Sequence, residues 1–323
     1  MDQIGNIFNQ MNEYFEQNIP YFFIVDYDKK LGEIIPLNHL DRTEILFSSP
    51  NFPFKNATQF PKELTWKFNV EPFSIYEKKF QHVKNEILKG NSYLVNLCCK
   101  TPVETNYSLE EIFQLGNSKY KLLWKDQFVH FSPEPFIKIQ EGKIHTFPMK
   151  GTIDATVPHA KEILLNDRKE LTEHNIITDL MRNDLSMVAD DVFVENFRYF
   201  EKIQTNTKAV YQTSSHIVGT LKSEYKNSPG NIFDKLLPAG SISGAPKPKT
   251  LKIIKDVEQF ERGFYTGVWG VFDGKNLDSC VIIRMLEKEN ENLYFKSGGG
   301  ITAMSDARKE YQEISQKIYV PIY

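Results

Sequence analysis

The sequence has few of the features that would tie it to a membrane, to nucleic acid or to an oxidising compartment. It has 323 residues with 3 cysteines, and 39 basic residues nearly balance 42 acidic ones, for a net charge of −3. Apolar runs such as 21–25 fall far short of the roughly 20 residues that span a bilayer. The balanced charge gives no reason to expect nucleic acid as a partner. We therefore expect a cytoplasmic protein that binds neither nucleic acid nor a membrane.

The cysteines do not suggest a metal site or a disulfide framework. Cys98, Cys99 and Cys280 lack the spacing of metal ligands. Adjacent residues on a strand point to opposite faces, so Cys98 and Cys99 would not act together. We expect all three to be reduced residues of the core.

Helical and strand patterns alternate along the chain without a strict strand-helix-strand repeat, which is typical of an α+β protein. Helices are predicted over residues 1–20, 74–89, 108–115 and 167–189, and the stretches 21–25, 92–98, 128–131, 136–140 and 143–147 are predicted strands. Prolines after residue 47 suggest a change of lobe near residue 65. We therefore predict a short N-terminal part, 1–65, followed by a larger region, 66–323, within one integrated domain.

The segment Phe147–Thr152 places a lysine, Lys150, on what reads as a short turn between two strands. The glycine after it has no Cβ, so the backbone can approach a ligand closely at this point. A Pro/Gly turn that happens to carry a surface lysine is the simpler interpretation. The other motifs of the chain decide between the two.

Two predicted helices each carry a pair of glutamates three residues apart. Glu170 and Glu173 form one pair, and Glu310 and Glu313 form the other. Residues at this spacing project from the same face of a helix, so two such faces can converge on one cation. Oxygen ligands without His or Cys favour Mg2+, which takes only one or two protein carboxylates. The same spacing is also common on solvated helices.

Several glycine-rich segments are candidate anion sites. Ser243 and Gly244 lie in a Gly/Ser turn before a predicted helix, and Gly298, Gly299 and Gly300 follow a predicted strand. Backbone amides at such places can bind an anion, although either segment can also be a plain turn.

Two charged or titratable residues lie next to predicted strands. Arg284 stands in an apolar strand, where a guanidinium needs either a structural carboxylate or a substrate anion. His216, at the head of another strand, is by itself most simply a hydrogen-bonded core histidine.

In the order in which they occur, these segments resemble the chorismate-utilising enzymes: anthranilate synthase component I, aminodeoxychorismate synthase component I, and the isochorismate and salicylate synthases. The similarity runs from about Ser74 to the C-terminus. Ten segments carry it, namely 90–97, 132–134, 148–152, 173–174, 179–184, 243–247, 263–267, Arg284, 298–300 and 310–313. The first 65 residues match less well.

The resemblance implies a large two-lobed fold of antiparallel or mixed sheets flanked by helices, with chorismate in a cleft. It implies that Mg2+ bridges a substrate carboxylate to Glu173 and Glu313, with Glu170 and Glu310 near its waters. The other substrate contacts are expected from the residues Thr152, Ser243, Gly244, Tyr265, Arg284, Gly298, Gly299, Gly300 and Lys317.

The branch of the family is indicated by a few positions. Anthranilate synthases usually have alanine at the place of Lys150, whereas aminodeoxychorismate synthases have lysine, which is proposed there as a nucleophile. The resemblance makes Glu134 the general acid and places His216 near the substrate ring. Isochorismate and salicylate synthases carry a Lys-Val pair in the strand after Gly90 to activate water, and the segment 93–97 has no lysine.

The resemblance therefore predicts aminodeoxychorismate synthase component I, which makes 4-amino-4-deoxychorismate for p-aminobenzoate and folate. Because the chain has no Cys-based glutaminase segment, a separate glutamine amidotransferase is expected to deliver ammonia. The alternatives are anthranilate synthase component I and a non-catalytic chorismate-binding protein.

Overall fold

The computed structural model describes residues 4–57, 62–204 and 209–322 of the chain. The helices within these ranges are α1 (Ile4–Glu16), α2 (Phe73–Leu88), α3 (Leu109–Leu115), α4 (Ala160–Asn166), α5 (Arg168–Ser186), α6 (Pro229–Leu236), α7 (Gly240–Ser243), α8 (Lys247–Val257) and α9 (Ala307–Gln316). In the part of the chain that the structure describes, no helix is both long enough and apolar enough to cross a membrane.

Strands make up two antiparallel sheets. In chain order they are β1 (Tyr21–Val25), β2 (Gly32–Pro36), β3 (Ile45–Ser48), β4 (Trp66–Phe68), β5 (Leu94–Thr105), β6 (Tyr120–Trp124), β7 (Phe128–Ser132), β8 (Pro135–Gln140), β9 (Lys143–Thr146), β10 (Met149–Asp154), β11 (Ala189–Gln204), β12 (Ala209–Leu221), β13 (Gly244–Ala245), β14 (Val268–Phe272), β15 (Leu277–Val281), β16 (Met285–Glu289) and β17 (Asn292–Ile301). The α+β class predicted from the sequence is confirmed.

The first compact unit, unit 1, is assembled from the segments Met1–Leu40, Glu134–Ser241 and Arg262–Val281. Its nine-stranded sheet has the order β10-β12-β9-β8-β15-β14-β1-β2, and β11 also pairs with β12. All five residues of β1 are buried, and β1 pairs with β2 along one edge and with β14 along the other. Of the apolar positions of α1 that recur at helical spacing, Ile7, Phe8 and Met11 are buried and each contributes about 2 kcal/mol, whereas Ile4 and Phe15 are half-buried.

The second unit, unit 2, consists of Asp41–Pro133, Ile242–Glu261 and Ile282–Tyr323. Its eight-stranded sheet has the order β13-β5-β17-β16-β7-β6-β3, and β4 also pairs with β5. Residues of α2, α8 and α9 form an apolar cluster with residues of β5. The predicted boundary near residue 65 stays a prediction. Residues 1–40 belong to unit 1 and residues 41–133 to unit 2.

Several local predictions are confirmed by these elements. α5 covers almost the whole predicted helix 167–189, and the Asp167 side chain caps its first turn by accepting from the backbone N–H of Glu170. Gly90, after α2, has a φ of 78°, the left-handed conformation expected behind a helix. All three cysteines lie in the described ranges, are buried, and form no disulfide.

A buried lysine ties several segments of unit 2 together. Lys121 on β6 is 1% exposed, and its ammonium donates hydrogen bonds to Asn56 Oδ1 at 2.6 Å, Phe113 O at 2.7 Å and Gly116 O at 2.9 Å. The two carbonyls lie at the end of α3, where a helix leaves its last carbonyls without internal partners. Burial lowers the pKa of Lys121 to about 8.

We expect Lys121→Met to lower the free energy of unfolding by about 2 to 4 kcal/mol, because the buried carbonyl of Phe113 loses its donor and that of Gly116 keeps only the Asn56 side-chain amide, at 3.2 Å. Urea unfolding followed by circular dichroism measures the change. Lys55→Met is the matched control, because Lys55 is exposed beside the same segment and should change stability by less than about 0.5 kcal/mol. Equal unfolding midpoints for the two variants would contradict the anchoring role of Lys121.

Candidate active site

Lys150 lies within β10 and not in a turn, which corrects the prediction from the sequence. β10 pairs with β12 as Met149↔Ser214 and Thr152↔Gln212, so two residues of β10 lie opposite one of β12. This β-bulge contains Lys150 and Gly151. Bulges redirect side chains and are common beside active sites. Pro148 and Gly151 suggested a turn, but pairing with a strand sixty residues later determines the structure here.

Gly151 is required in this bulge for two reasons. Its φ is +83°, and a Cβ at this position would lie 3.0 Å from Glu170 Oε2 and 3.2 Å from Leu164 Cδ1. A residue with a side chain would therefore have a strained backbone here, and its Cβ would contact the Glu170 carboxylate. The backbone thus approaches Glu170 closely, and the approach to a ligand that the glycine suggested stays a prediction.

α5 holds its second glutamate against Lys150. Glu173 Oε2 lies 3.8 Å from Lys150 Nζ, and Glu173 Oε1 lies 3.3 Å from Lys169 Nζ. The Glu173 side chain is 7% exposed, and within the described residues its Oε1 accepts no hydrogen bond. The contact with Lys169 is thus an ion pair without hydrogen-bond geometry. The next residue, His174, anchors α5 to β12 through a 2.6 Å hydrogen bond between its Nε2 and Ser215 Oγ.

His216 lies in the middle of β12 and not at the head of a strand, and it belongs to a network that the sequence did not reveal. Its Nδ1 lies 2.6 Å from Glu195 Oε2, and its Nε2 lies 3.0 Å from His145 Nδ1. Its ring also stacks on Phe147, with centroids 4.6 Å apart and planes 13° apart. Burial lowers the pKa of His216, and the Glu195 carboxylate raises it in part.

This network fixes the tautomer of neutral His216. A carboxylate only accepts hydrogen bonds, so Nδ1 carries the proton and donates it to Glu195. Nε2 is then the acceptor for His145. His145 and Glu195 come from β9 and β11, and only the pairing of these strands with β12 brings them to His216. Their spacing in the sequence gave no sign of it.

The other predicted site residues of unit 1 lie on separate elements. Glu134 directly precedes β8, and its carbonyl accepts a hydrogen bond from the Val281 N–H at 3.2 Å. Thr152 is exposed on β10, next to the bulge. Tyr265 is 2% exposed and follows Arg262 in the turn before β14. Unit 1 thus brings together Lys150, Glu170 and Glu173, while Tyr265 lies in the turn before β14.

In unit 2 the glycine triplet is part of a strand and does not follow one. Gly298, Gly299 and Gly300 lie within β17 and pair with Cys98, Leu97 and Asn96 of β5. β16 pairs with β17 only as far as Lys296. Beside the three glycines, β17 therefore has no pairing partner in β16. Backbone N–H groups along this edge of β17 can donate hydrogen bonds to a ligand.

α9 packs its glutamate pair beside these glycines. Glu310 is 2% exposed, and its Oε2 lies 3.5 Å from the place where a Cβ of Gly299 would be. Lys317, after α9, donates to Gly298 O at 3.0 Å and pairs with Glu313 Oε1 at 2.8 Å. The predicted carboxylates of α9, Lys317 and the glycines of β17 therefore form one cluster in unit 2.

Arg284 is not in a strand, which corrects the prediction of a continuous apolar strand. It falls between β15, the last strand of unit 1, and β16 of unit 2, and its φ is 51°. Its guanidinium lies 5.3 Å from the centroid of the Tyr319 ring. The side chain is half-buried, and among the described residues it forms no ion pair with a carboxylate. Of the two partners considered from the sequence, the structural carboxylate is therefore not found beside Arg284 among the described residues.

Ser243 and Gly244 occupy a short helix and a two-residue strand where the sequence suggested a turn. Ser243 ends α7 and is 0% exposed, and Gly244 begins β13 opposite Val95. A Cβ on Gly244 would lie 1.9 Å from Leu94 O, and the φ of Gly244 is +121°. Only glycine allows this close approach to β5.

A family model described as chorismate binding enzyme matches residues 26–322. The chain belongs to the chorismate binding enzyme family. The resemblance seen in the motifs is confirmed at the level of the family.

Relatives in this family carry different names. An "Uncharacterized PabA-like protein" of Haemophilus influenzae is 48% identical over 97% of this chain and 95% of that protein. Aminodeoxychorismate synthase component 1 of Salmonella typhimurium is 30% identical over 91% of this chain and 66% of that protein. Anthranilate synthase component 1 of Acetivibrio thermocellus is 31% identical over 72% of this chain and 49% of that protein.

The fold is also that of solved enzymes of the chorismate group. An isochorismate synthase of Bacillus anthracis superposes with a TM-score of 0.71 at 19% identity, covering 98% of this chain and 88% of that one. At this identity the similarity shows the fold alone, and it confirms the architecture that the resemblance implied.

The carboxylates of this chorismate binding enzyme suit a hard divalent cation. Among the described residues, no group of three or more His, Cys, Asp or Glu side chains forms a metal site. Mg2+ does not need such a group, since it takes one or two carboxylates and keeps several waters. Glu173, buried with an oxygen that accepts no hydrogen bond, meets this requirement in unit 1. The residues present therefore fit the ion.

Proposed function

We propose that the protein is an aminodeoxychorismate synthase component I, which converts chorismate and ammonia into 4-amino-4-deoxychorismate and water. The observation that carries the proposal is the position of Lys150 beside Glu173. Its side chain is 22% exposed, stands on a bulged strand, and points its amine at the carboxylate of Glu173. A nucleophile held beside a candidate cation ligand is what amination through a covalent enzyme intermediate needs.

The proposed reaction assigns a separate step to each residue. The Lys150 amine adds to C2 of chorismate, both ring double bonds shift, and the 4-hydroxyl takes a proton from Glu134 and leaves as water. Ammonia then attacks C4, both double bonds shift back, and the electron pair of the C2–N bond returns to Lys150. The new ammonium at C4 gives a proton back to Glu134. The amino group has then replaced the hydroxyl, and the enzyme is unchanged. His216 orients the ring through its fixed tautomer.

The remaining residues hold the substrate, which is a dianion. We propose that Arg284, Lys317 and the amides around Gly299 meet carboxylate charge in unit 2, and that Thr152 and Tyr265 contact substrate in unit 1. The candidate ligands of Mg2+ are Glu173 and Glu170 in unit 1 and Glu313 and Glu310 in unit 2. When bound, the ion would supply positive charge to a substrate carboxylate and to the leaving group.

Ammonia is proposed to come from a glutamine amidotransferase on a separate chain. This part of the proposal rests on the family resemblance and on the absence of a Cys-based glutaminase segment in the sequence. It predicts that glutamine supports amination only when such a partner is added, whereas an ammonium salt supports it without one.

Anthranilate synthase component I is the second candidate, because relatives with that name match at a similar identity, such as 31% for one of them. Lys150 is the feature that argues against it. A non-catalytic chorismate-binding protein is a third, and it is disfavoured because a binder has no need for a nucleophile beside a cation ligand.

The test is to incubate the protein with chorismate, Mg2+ and an ammonium salt at alkaline pH and to identify the product by mass and ultraviolet spectrum. We expect 4-amino-4-deoxychorismate, which an added lyase converts into p-aminobenzoate. Direct formation of anthranilate would establish the second candidate instead. Binding of chorismate without turnover, even with an amidotransferase and glutamine present, would establish the third.

A further inference from the structure

Both oxygens of the Glu173 carboxylate face an ammonium group in this structure. Lys169 Nζ lies 3.3 Å from Oε1, and Lys150 Nζ lies 3.8 Å from Oε2. The Glu173 side chain is 7% exposed, whereas that of Lys169 is 32% exposed. The carboxylate is thus buried, and the lysine beside its Oε1 reaches it from the partly solvated side of α5.

The proposed reaction has a step for Lys150 but none for Lys169. Lys169 stands four residues before Glu173, which places the two side chains on the same face of α5. A lysine held there places a positive charge where a cation would have to approach. Two positive charges a few ångströms apart repel each other, and the repulsion is strong where water screens little.

We propose that Lys169 competes with the divalent cation for the Glu173 carboxylate and thereby lowers the affinity of unit 1 for that cation. The proposal rests on the proposed function, because it takes Glu173 to be a cation ligand. Lys169 holds the buried carboxylate in place while no cation is present. A cation that binds Glu173 displaces the ammonium toward solvent.

Unit 2 has a comparable glutamate–lysine pair, although its glutamate is 49% exposed and the lysine follows it in the chain. Glu313 Oε1 lies 2.8 Å from Lys317 Nζ, again at a spacing of four residues along the chain. In each unit, therefore, the glutamate assigned to the cation is already paired with a lysine. Lys317 also has a proposed contact with substrate, so Lys169 is the cleaner residue to change.

The experiment is a titration with Mn2+ alone, without chorismate, read by the electron paramagnetic resonance signal of the free ion and by calorimetry. The proteins compared are the wild type, Lys169→Met, Lys169→Arg and Lys143→Met. Lys169→Arg keeps the charge beside Glu173. Lys143→Met removes one charge from an exposed position of β9 in the same unit and corrects for net charge. Circular dichroism verifies that each variant is folded.

We expect Lys169→Met to bind Mn2+ about tenfold more tightly than the wild type, while Lys169→Arg and Lys143→Met bind as the wild type does. Unchanged or weaker binding by Lys169→Met would overturn the proposal and show that Lys169 serves only to hold Glu173. Absence of Mn2+ binding by all four proteins would also overturn it, since there would be no cation to compete with.

These results are separable from those that test the proposed function. Product identification with chorismate and ammonia decides whether the protein is an aminodeoxychorismate synthase, whatever the Mn2+ affinities are. If amination is found but Lys169→Met binds Mn2+ like the wild type, only the competition is wrong. If tighter binding is found but no amination, the cation site stands and the reaction does not.

Discussion

Replacement of Lys150 by alanine is expected to lower the rate of chorismate amination by at least about a thousandfold, or about 4 kcal/mol of activation free energy. The physical reason is that the proposed reaction passes through a bond between the lysine nitrogen and C2, and no other side chain of the bulge can form it. Steady-state kinetics with ammonium as the nitrogen source measure the loss.

Lys150→Arg separates the covalent role of Lys150 from a purely electrostatic one. Arginine keeps the positive charge beside Glu173 but stays protonated and is therefore a poor nucleophile. We expect Lys150→Arg to lose nearly as much activity as Lys150→Ala, while Lys143→Met keeps the wild-type rate. A loss below about tenfold in Lys150→Ala, worth about 1.4 kcal/mol, would exclude the nucleophilic role.

The second large effect is expected for Glu173→Gln. The amide keeps the shape of the side chain but removes the charge that a hard cation requires. We expect amination to fall by about a thousandfold or more and the Mg2+ concentration for half-maximal rate to rise by more than about tenfold. The measurement is the rate as a function of Mg2+ concentration at saturating chorismate.

A matched control for Glu173→Gln is Glu162→Gln on α4. Glu162 is an exposed residue, 68% accessible in its side chain, and among the described residues its ion pair is with His159, which is 82% accessible. Its substitution should leave the rate and the Mg2+ dependence unchanged. If Glu173→Gln showed the wild-type Mg2+ dependence, Glu173 would not be a ligand, and the assignment of the α5 pair would have to be abandoned.

The helices that carry the candidate site were predictable because their apolar and acidic residues recur at helical spacing. α5 and its glutamate pair follow from such a pattern, and an aspartate cap marks where it begins. The family was also evident, since its motifs are contiguous and occur in a fixed order. These features depend on residues that are close in the sequence.

The errors concern residues whose conformation depends on distant partners. Pro148 and Gly151 favour a turn locally, but pairing with β12 places Lys150 in a strand. The apolar run around Arg284 looks continuous, although the chain leaves one sheet and enters the other there. The partners of His216 come from strands on either side of β12, and strand register cannot be read from local periodicity.

The division of each unit into three chain segments has a consequence for synthesis of the protein. β1 pairs with β14, roughly 250 residues later in the chain, and at about 5 to 20 residues per second the ribosome needs about 12 to 50 s to make that distance. Until then the apolar β1 lacks a neighbour along one edge. Chaperones are therefore expected to protect the emerging chain, and a single cut anywhere within residues 41–281 would leave both units incomplete.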